Sequence, residues 1–253
     1  IFAELPEITP TIPINIVPAT KSEEEAYQTL FSANVLSPDK KQIAIFQKEG
    51  GVNVLKTLDA ATGKVKKTIK INIEDVILAW PKQEEIILIE KPNTALPNSA
   101  WVLNLKNNTL NYLFKEEAGL ILNWLDDNKF LLKFSANPLT PNQGMLMIID
   151  EKTKTQTNLP WVTLPAKCTF GLNKLYCAVP KEIAANIILP DDYLKQKFLS
   201  QDKILAIDLK ETKIDILFSE ETPLVDAIDL KIVEGKLFFT NRYDDQIYKI
   251  KSQ

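Results

Sequence analysis

Histidine is absent from all 253 residues, and the 30 basic residues include a single arginine, Arg242. Without imidazole there is no Ser-His-Asp or Cys-His pair, no histidine general base and no histidine-containing zinc site. Arginine's planar fork is the usual reader of phosphate and guanine. Its near absence, with a net charge of -3 from acidic and basic residues mixed along the chain, removes the footprint of a nucleic-acid binder. Glycine numbers only 7, and no Gly-rich phosphate loop, G-x-S-x-G elbow or CxxC pair occurs. No apolar run approaches the roughly 18 residues needed to cross a bilayer. Asp191 and Asp192 are adjacent rather than at calcium-loop spacing, so neither a metal nor a cofactor is expected. Carboxylate pairs and lysine or tyrosine bases stay open. With 45% hydrophobic and 25% charged residues, the composition is that of a soluble globular protein with a sizeable core. The first residue is Ile1 rather than methionine, so a signal peptide, an upstream anchor or a further domain can precede it.

What is present is a repeat. Two apolar strands flanking a tight polar turn recur five times, as "NVLSPDKKQIAIF", "LAWPKQEEIILIE", "LNWLDDNKFLLKF", "CTFGLNKLYCAV" and "LKIVEGKLFFT". A third strand ending near Asp or Asn follows each time, then a turn and, in four copies, a fourth strand. Taking Gln42, Glu85, Lys129, Lys174 and Lys236 as second-strand starts, the steps are 43, 44, 45 and 62 residues. Four short antiparallel strands at this period predict an all-β fold, a β-propeller of four-stranded antiparallel blades with five recognisable repeats. A β-sandwich would not need register-matched repeats. Residues 1–29 read as a Pro-rich N-terminal segment, either a closing strand for the last blade or the remnant of a preceding blade in a larger ring. Residues 30–253 read as the propeller, with a long insertion at 181–202.

The stretches "VLSPDKKQIAIF" and "VLKTLDAATGK" are similar to the repeat of TolB-type and related WD40-like (PD40) propellers. There a W-S-P-D-G-K turn precedes the second strand and a D-L-x-T-G turn follows the third. Ser37, Pro38, Asp39 and Lys40 match the first turn, and Asp59, Thr62 and Gly63 the second. Trp80 and Trp124 keep the aromatic position that Leu36 and Phe170 also occupy, and are expected to be buried equivalents on successive blades. The resemblance implies architecture. It carries no catalytic residues, because such propellers range from binding scaffolds to the regulatory lobes of peptidases.

The only cysteines, Cys168 and Cys177, flank one hairpin. Pairing Phe170 with Leu175 across its turn sets Thr169 opposite Tyr176 and Cys168 opposite Cys177. That is near disulfide distance and favours an extracytoplasmic, oxidising compartment over two buried free thiols.

Hairpin turns within repeats are minimal, whereas connections between second and third strands include "EKPNTALPNS", "SANPLTPNQG" and the long 181–202 segment. The functional face is therefore expected at residues 90–99, 135–144, 157–167, 181–202 and 241–246. Candidate binding residues are Trp161, Tyr193, Arg242, Tyr243, Asp191 and Asp192, with aromatic rings as anchors. The expected function is non-enzymatic binding of a protein or glycan partner through this face. One alternative is an enzyme with two carboxylates from different blades about 5 to 9.5 Å apart, or a propeller lobe of a larger enzyme. Another is a structural subunit of a cell-surface assembly.

Overall fold

Five four-stranded antiparallel sheets follow one another in the computed structural model, which describes residues 16–18, 35–74, 76–125, 128–211 and 213–250. Strands are numbered along the chain from β1 (Ile16–Pro18). The first sheet is β2 (Val35–Leu36), β3 (Gln42–Glu49), β4 (Val52–Asp59) and β5 (Val65–Lys70). The second is β6 (Val76–Lys82), β7 (Glu85–Glu90), β8 (Asn98–Asn104) and β9 (Leu110–Glu117). The third is β10 (Ile121–Leu125), β11 (Phe130–Ala136), β12 (Gly144–Asp150) and β13 (Gln156–Leu159). The fourth is β14 (Cys168–Gly171), β15 (Lys174–Pro180), β16 (Asp202–Asp208) and β17 (Lys213–Phe218). β18 (Ala227–Val233), β19 (Lys236–Asn241) and β20 (Gln246–Ile250) form the fifth, whose outer strand is β1, with Ile16 opposite Ile250 and Pro18 opposite Tyr248. Four second strands begin where the repeat places them, and the third begins one residue later, at Phe130. The other residues of the expected 1–29 segment lie outside the described residues.

The recurring Asp or Asn at the end of the third strand has a shared task. Asp59, Asn104, Asp150 and Asp208 each turn a side-chain oxygen back onto the backbone N–H groups two and three residues on, closing the turn into the fourth strand. A short polar side chain at this position fixes where each sheet reverses, which keeps the repeats in register.

Apolar side chains alternate along the strands and bury between sheets. Leu55 of the first sheet packs with Trp80, Ile86 and Leu88 of the second, whose Ile87 and Ile89 pack toward Leu122 and Trp124 of the third. Phe134 and Leu146 of the third share a cluster with Leu175 and Leu205 of the fourth, and Tyr176 and Ile204 of the fourth pack with Leu237 and Phe239 of the fifth. Among the described residues, no such cluster joins the fifth sheet to the first.

Trp80 is buried as expected, but Trp124 is only half-buried. The register explains the difference. Trp80 lies where β6 slips against β7, between Ala79 and Lys82, and its indole donates to Gln83 O at 3.3 Å. Trp124 stays in an unbroken ladder opposite Leu131 and packs, partly buried, against the cluster of Ile87, Ile89 and Leu120.

Cys168 and Cys177 are cross-strand partners with Cα atoms 4.1 Å apart, and they are disulfide-bonded. Thr169 faces Tyr176 and Phe170 faces Leu175, the pairing read from the sequence. The hairpin turns on Leu172 and Asn173, both with positive φ, as a two-residue turn compatible with strand twist requires.

Candidate functional site

Adjacent strands are antiparallel, so the second-to-third connections and the sheet-to-sheet connections emerge at one end of the propeller. The longest, residues 181–201, is a strap. Its base is closed by Lys181 N donating to Gln201 O at 2.8 Å, and at its far end a single helical turn, α1 (Asp191–Leu194), reaches other sheets. Asp191 Oδ2 accepts from the Thr94 N–H at 2.9 Å and from the Thr94 hydroxyl, which also donates to Leu189 O at 2.7 Å. Leu189 N donates to Pro141 O at 2.7 Å, and the Asn142 amide to Ile183 O at 3.3 Å. The strap from the fourth sheet is thus tied to connections of the second and third. Gly119 makes room for it: with φ of +57° and space for a Cβ only 2.6 Å from Pro190 Cδ, this position suits glycine alone.

Beneath the strap lies a buried charge cluster. Lys167, the last residue of the connection into the fourth sheet, is 1% exposed. Its Nζ contacts Asp202 Oδ2 and Asp226 Oδ1, each at 2.7 Å, and Ser200 Oγ at 2.8 Å. Asp226, the last residue before the fifth sheet, also accepts from the Tyr193 hydroxyl at 2.7 Å, Ser200 N at 3.1 Å and Arg242 at 3.3 Å. Lys167 Nζ lies 4.8 Å from the Tyr193 ring centre and the Arg242 guanidinium 4.1 Å from it, one aromatic ring facing two cations.

Two cations and two carboxylates balance, and that balance is what permits their burial. Burial opposes the charge on Lys167, but Asp202 and then Tyr193 and Asp226 outweigh it, raising its pKa further above the ordinary lysine range. Burial likewise pushes the Tyr193 phenol up, and pushes Asp202 up against the pull of Lys167. Asp226, whose burial acts the same way, is held below the usual carboxylate range by Lys167 and by its hydrogen bonds. A lysine and a tyrosine with raised pKa values are poor general bases. The carboxylates brought together here are 0% exposed and bound by one ammonium, so this acid pair is structural.

Asp202 has repeat relatives. The Asn53 amide donates to Ile73 O at 2.9 Å, and Asn98 exchanges hydrogen bonds with Leu120, each fastening the start of a third strand to the connection into the next sheet. Asp202 Oδ2 accepts from Ala227 N at 2.8 Å in the same role. Aspartate in place of asparagine brings a charge, which Lys167 neutralises.

The face thus gathers most of the expected residues. Tyr193, Asp192 and the Arg242 head group lie inward, building the face from beneath, while Tyr243 is exposed upon it. Asp192 accepts from Ile188 N at 2.9 Å and pairs with Lys197 at 2.8 Å, so the two adjacent aspartates serve different partners. Trp161 packs against the core between the third and fourth sheets, its indole N–H buried without a partner. Lys167, Ser200 and Asp202 fall within the expected segments without being singled out, and Asp226 lies outside them. Each ends or begins a connection, and only the folded loops show that they meet.

No protein-family model and no curated protein sequence matches the chain. Solved structures do match in fold. A prolyl endopeptidase aligns over 82% of the chain with a TM-score of 0.57 and 13% identity. An acylaminoacyl peptidase aligns over 83% with a TM-score of 0.54 and 13% identity. TolB from Acinetobacter baumannii aligns over 88% with a TM-score of 0.44 and 14% identity. The chain spans 31%, 35% and 54% of these three structures respectively. The protein has a β-propeller fold of five four-stranded sheets, similar to the fold shared with the two peptidase structures.

Proposed function

We propose that the chain is an extracytoplasmic, non-enzymatic propeller that docks a protein partner on its long-loop face. The observation carrying this reading is the exposure of large apolar side chains there. Leu139 is 91% exposed, Leu96 67%, Leu194 51% and Leu224 50%, with Ile188, Leu199 and Tyr243 also exposed. They sit on connections already tied to one another, so a rigid scaffold presents them together. Exposed apolar side chains gathered on one face favour a protein over a glycan, which prefers hydrogen-bonding groups beside aromatic platforms. The disulfide supports an oxidising compartment.

A second reading follows from the peptidase structures, of which the chain spans about a third. In it, the partner on this face is a catalytic domain of the same polypeptide.

The test is proximity labelling from the long-loop face in the native compartment, followed by binding of the purified partner. Leu139→Glu with Leu194→Glu should weaken binding at least about tenfold, while Leu172→Glu on the opposite face should not. Loss confined to Leu172→Glu would put the contact on the short-turn face and sink the proposal.

A further inference from the structure

The inner strands β10, β14 and β18 surround a cavity of about 300 Å³ near the propeller axis, using none of the side chains of the buried charge cluster. Its size is at the lower end of small-molecule sites, which run roughly 300 to 1,000 Å³. Ile121, Leu122 and Leu230 supply apolar wall, and Asn123, Asp229 and Lys231 supply polar groups. Asn123 is held in place by its amide, which donates to Pro165 O at 3.2 Å.

One wall is locally reshaped. β18 loses register against β19 between Ile228 and Lys231, and Asp229 takes a left-handed backbone with φ of 53°. In an unbroken strand residues 229 and 231 would share one face and 230 the other. Here all three line the cavity, which the bulge makes feasible. The left-handed turn at Asp229 lets the strand bulge and re-aim its side chains toward the cavity. Burial raises the Asp229 pKa and lowers that of Lys231, each against the attraction of the other.

We propose that this cavity binds a small apolar zwitterion of the class of the aliphatic α-amino acids. The ammonium group meets Asp229, the carboxylate meets Lys231, and the hydrocarbon side chain lies against Ile121, Leu122 and Leu230. Both protein charges already interact in the unliganded chain, and a zwitterion replaces those interactions charge for charge without leaving a net buried charge.

Isothermal titration of the full chain with L-leucine is expected to show saturable binding. Isoamylamine and 4-methylpentanoate, which each lack one charge, should bind at least about tenfold more weakly, having lost one charge-assisted contact. Asp229→Asn and Lys231→Met should each abolish leucine binding. Because inner-strand changes can impair folding, Ala166→Leu provides an independent check: Ala166 lines the cavity yet is exposed and lies outside the strands. It should block leucine while leaving the melting temperature unchanged. Absence of saturable heat with L-leucine, or undiminished binding to Ala166→Leu, would overturn the proposal.

Discussion

The Tyr193 hydroxyl donates a 2.7 Å hydrogen bond to Asp226 Oδ1, joining the strap of the fourth sheet to the last residue before the fifth. Tyr193→Phe keeps the ring between Arg242 and Phe198 but removes that donor. The expected cost is about 1 to 3 kcal/mol, since a buried acceptor loses a partner. Urea midpoints should fall with an unchanged slope, and amide exchange should quicken across residues 183–199. A shift within about 0.5 kcal/mol would show that the strap is held by its other ties.

Lys167→Met leaves Asp202 and Asp226 buried with only Arg242 nearby, at 3.3 Å from Asp226. A loss of about 3 to 5 kcal/mol is expected. Adding Asp202→Asn should recover part of it, by restoring the neutral side chain that Asn98 supplies in the second sheet. Equal destabilisation in the single and double variants would mean that the two residues are not coupled.

Folded protein should take up no thiol label before reduction and two labels after it, at Cys168 and Cys177. Closing so short a loop is worth roughly 2 to 3 kcal/mol in the chain-entropy model. Labelling of native, unreduced protein would remove the argument for an oxidising compartment.

Trp80→Ala should cost about 3 to 5 kcal/mol through lost burial and the cavity left behind. Trp124→Ala should cost clearly less, its ring being half-buried. Equal losses, compared by denaturant unfolding, would contradict the difference in packing.

Asp59 bonds to Lys66 and to the backbone and hydroxyl of Thr62, in that order of effect, which lowers its pKa from 3.8 to about 2. A folded value below the unfolded one adds stability that is complete above about pH 4 and fades as pH falls toward 2. The urea-midpoint gap between the protein and Asp59→Asn should therefore shrink between pH 5 and pH 2. A constant gap would assign the effect to something other than ionisation.

The sheets were legible because their signals are local: alternating apolar residues, a polar turn, and an Asp or Asn where the third strand ends. The cysteine pair was legible because one hairpin register determines it. The cluster around Lys167 was not, since it joins residues 167, 193, 202, 226 and 242, whose meeting depends on how four connections fold over one another. In a lysine-rich chain nothing sets Lys167 apart beforehand. Tyr193 was singled out as a surface anchor for a partner and instead lies 7% exposed, because the strap turns its single helical turn inward. The bulge at Asp229 likewise has no glycine to announce it.

Sheets that touch only their neighbours behave as a one-dimensional array that frays from its ends, and here β1, which precedes the first sheet in the chain, already completes the fifth. The strap changes that statistics. By fastening Asp191 to Thr94, 97 residues away, it links connections of sheets that are not neighbours, the second and the fourth. Closing a contact over so long a loop carries an entropic cost, and the tie couples the second sheet's connection to the strap of the fourth.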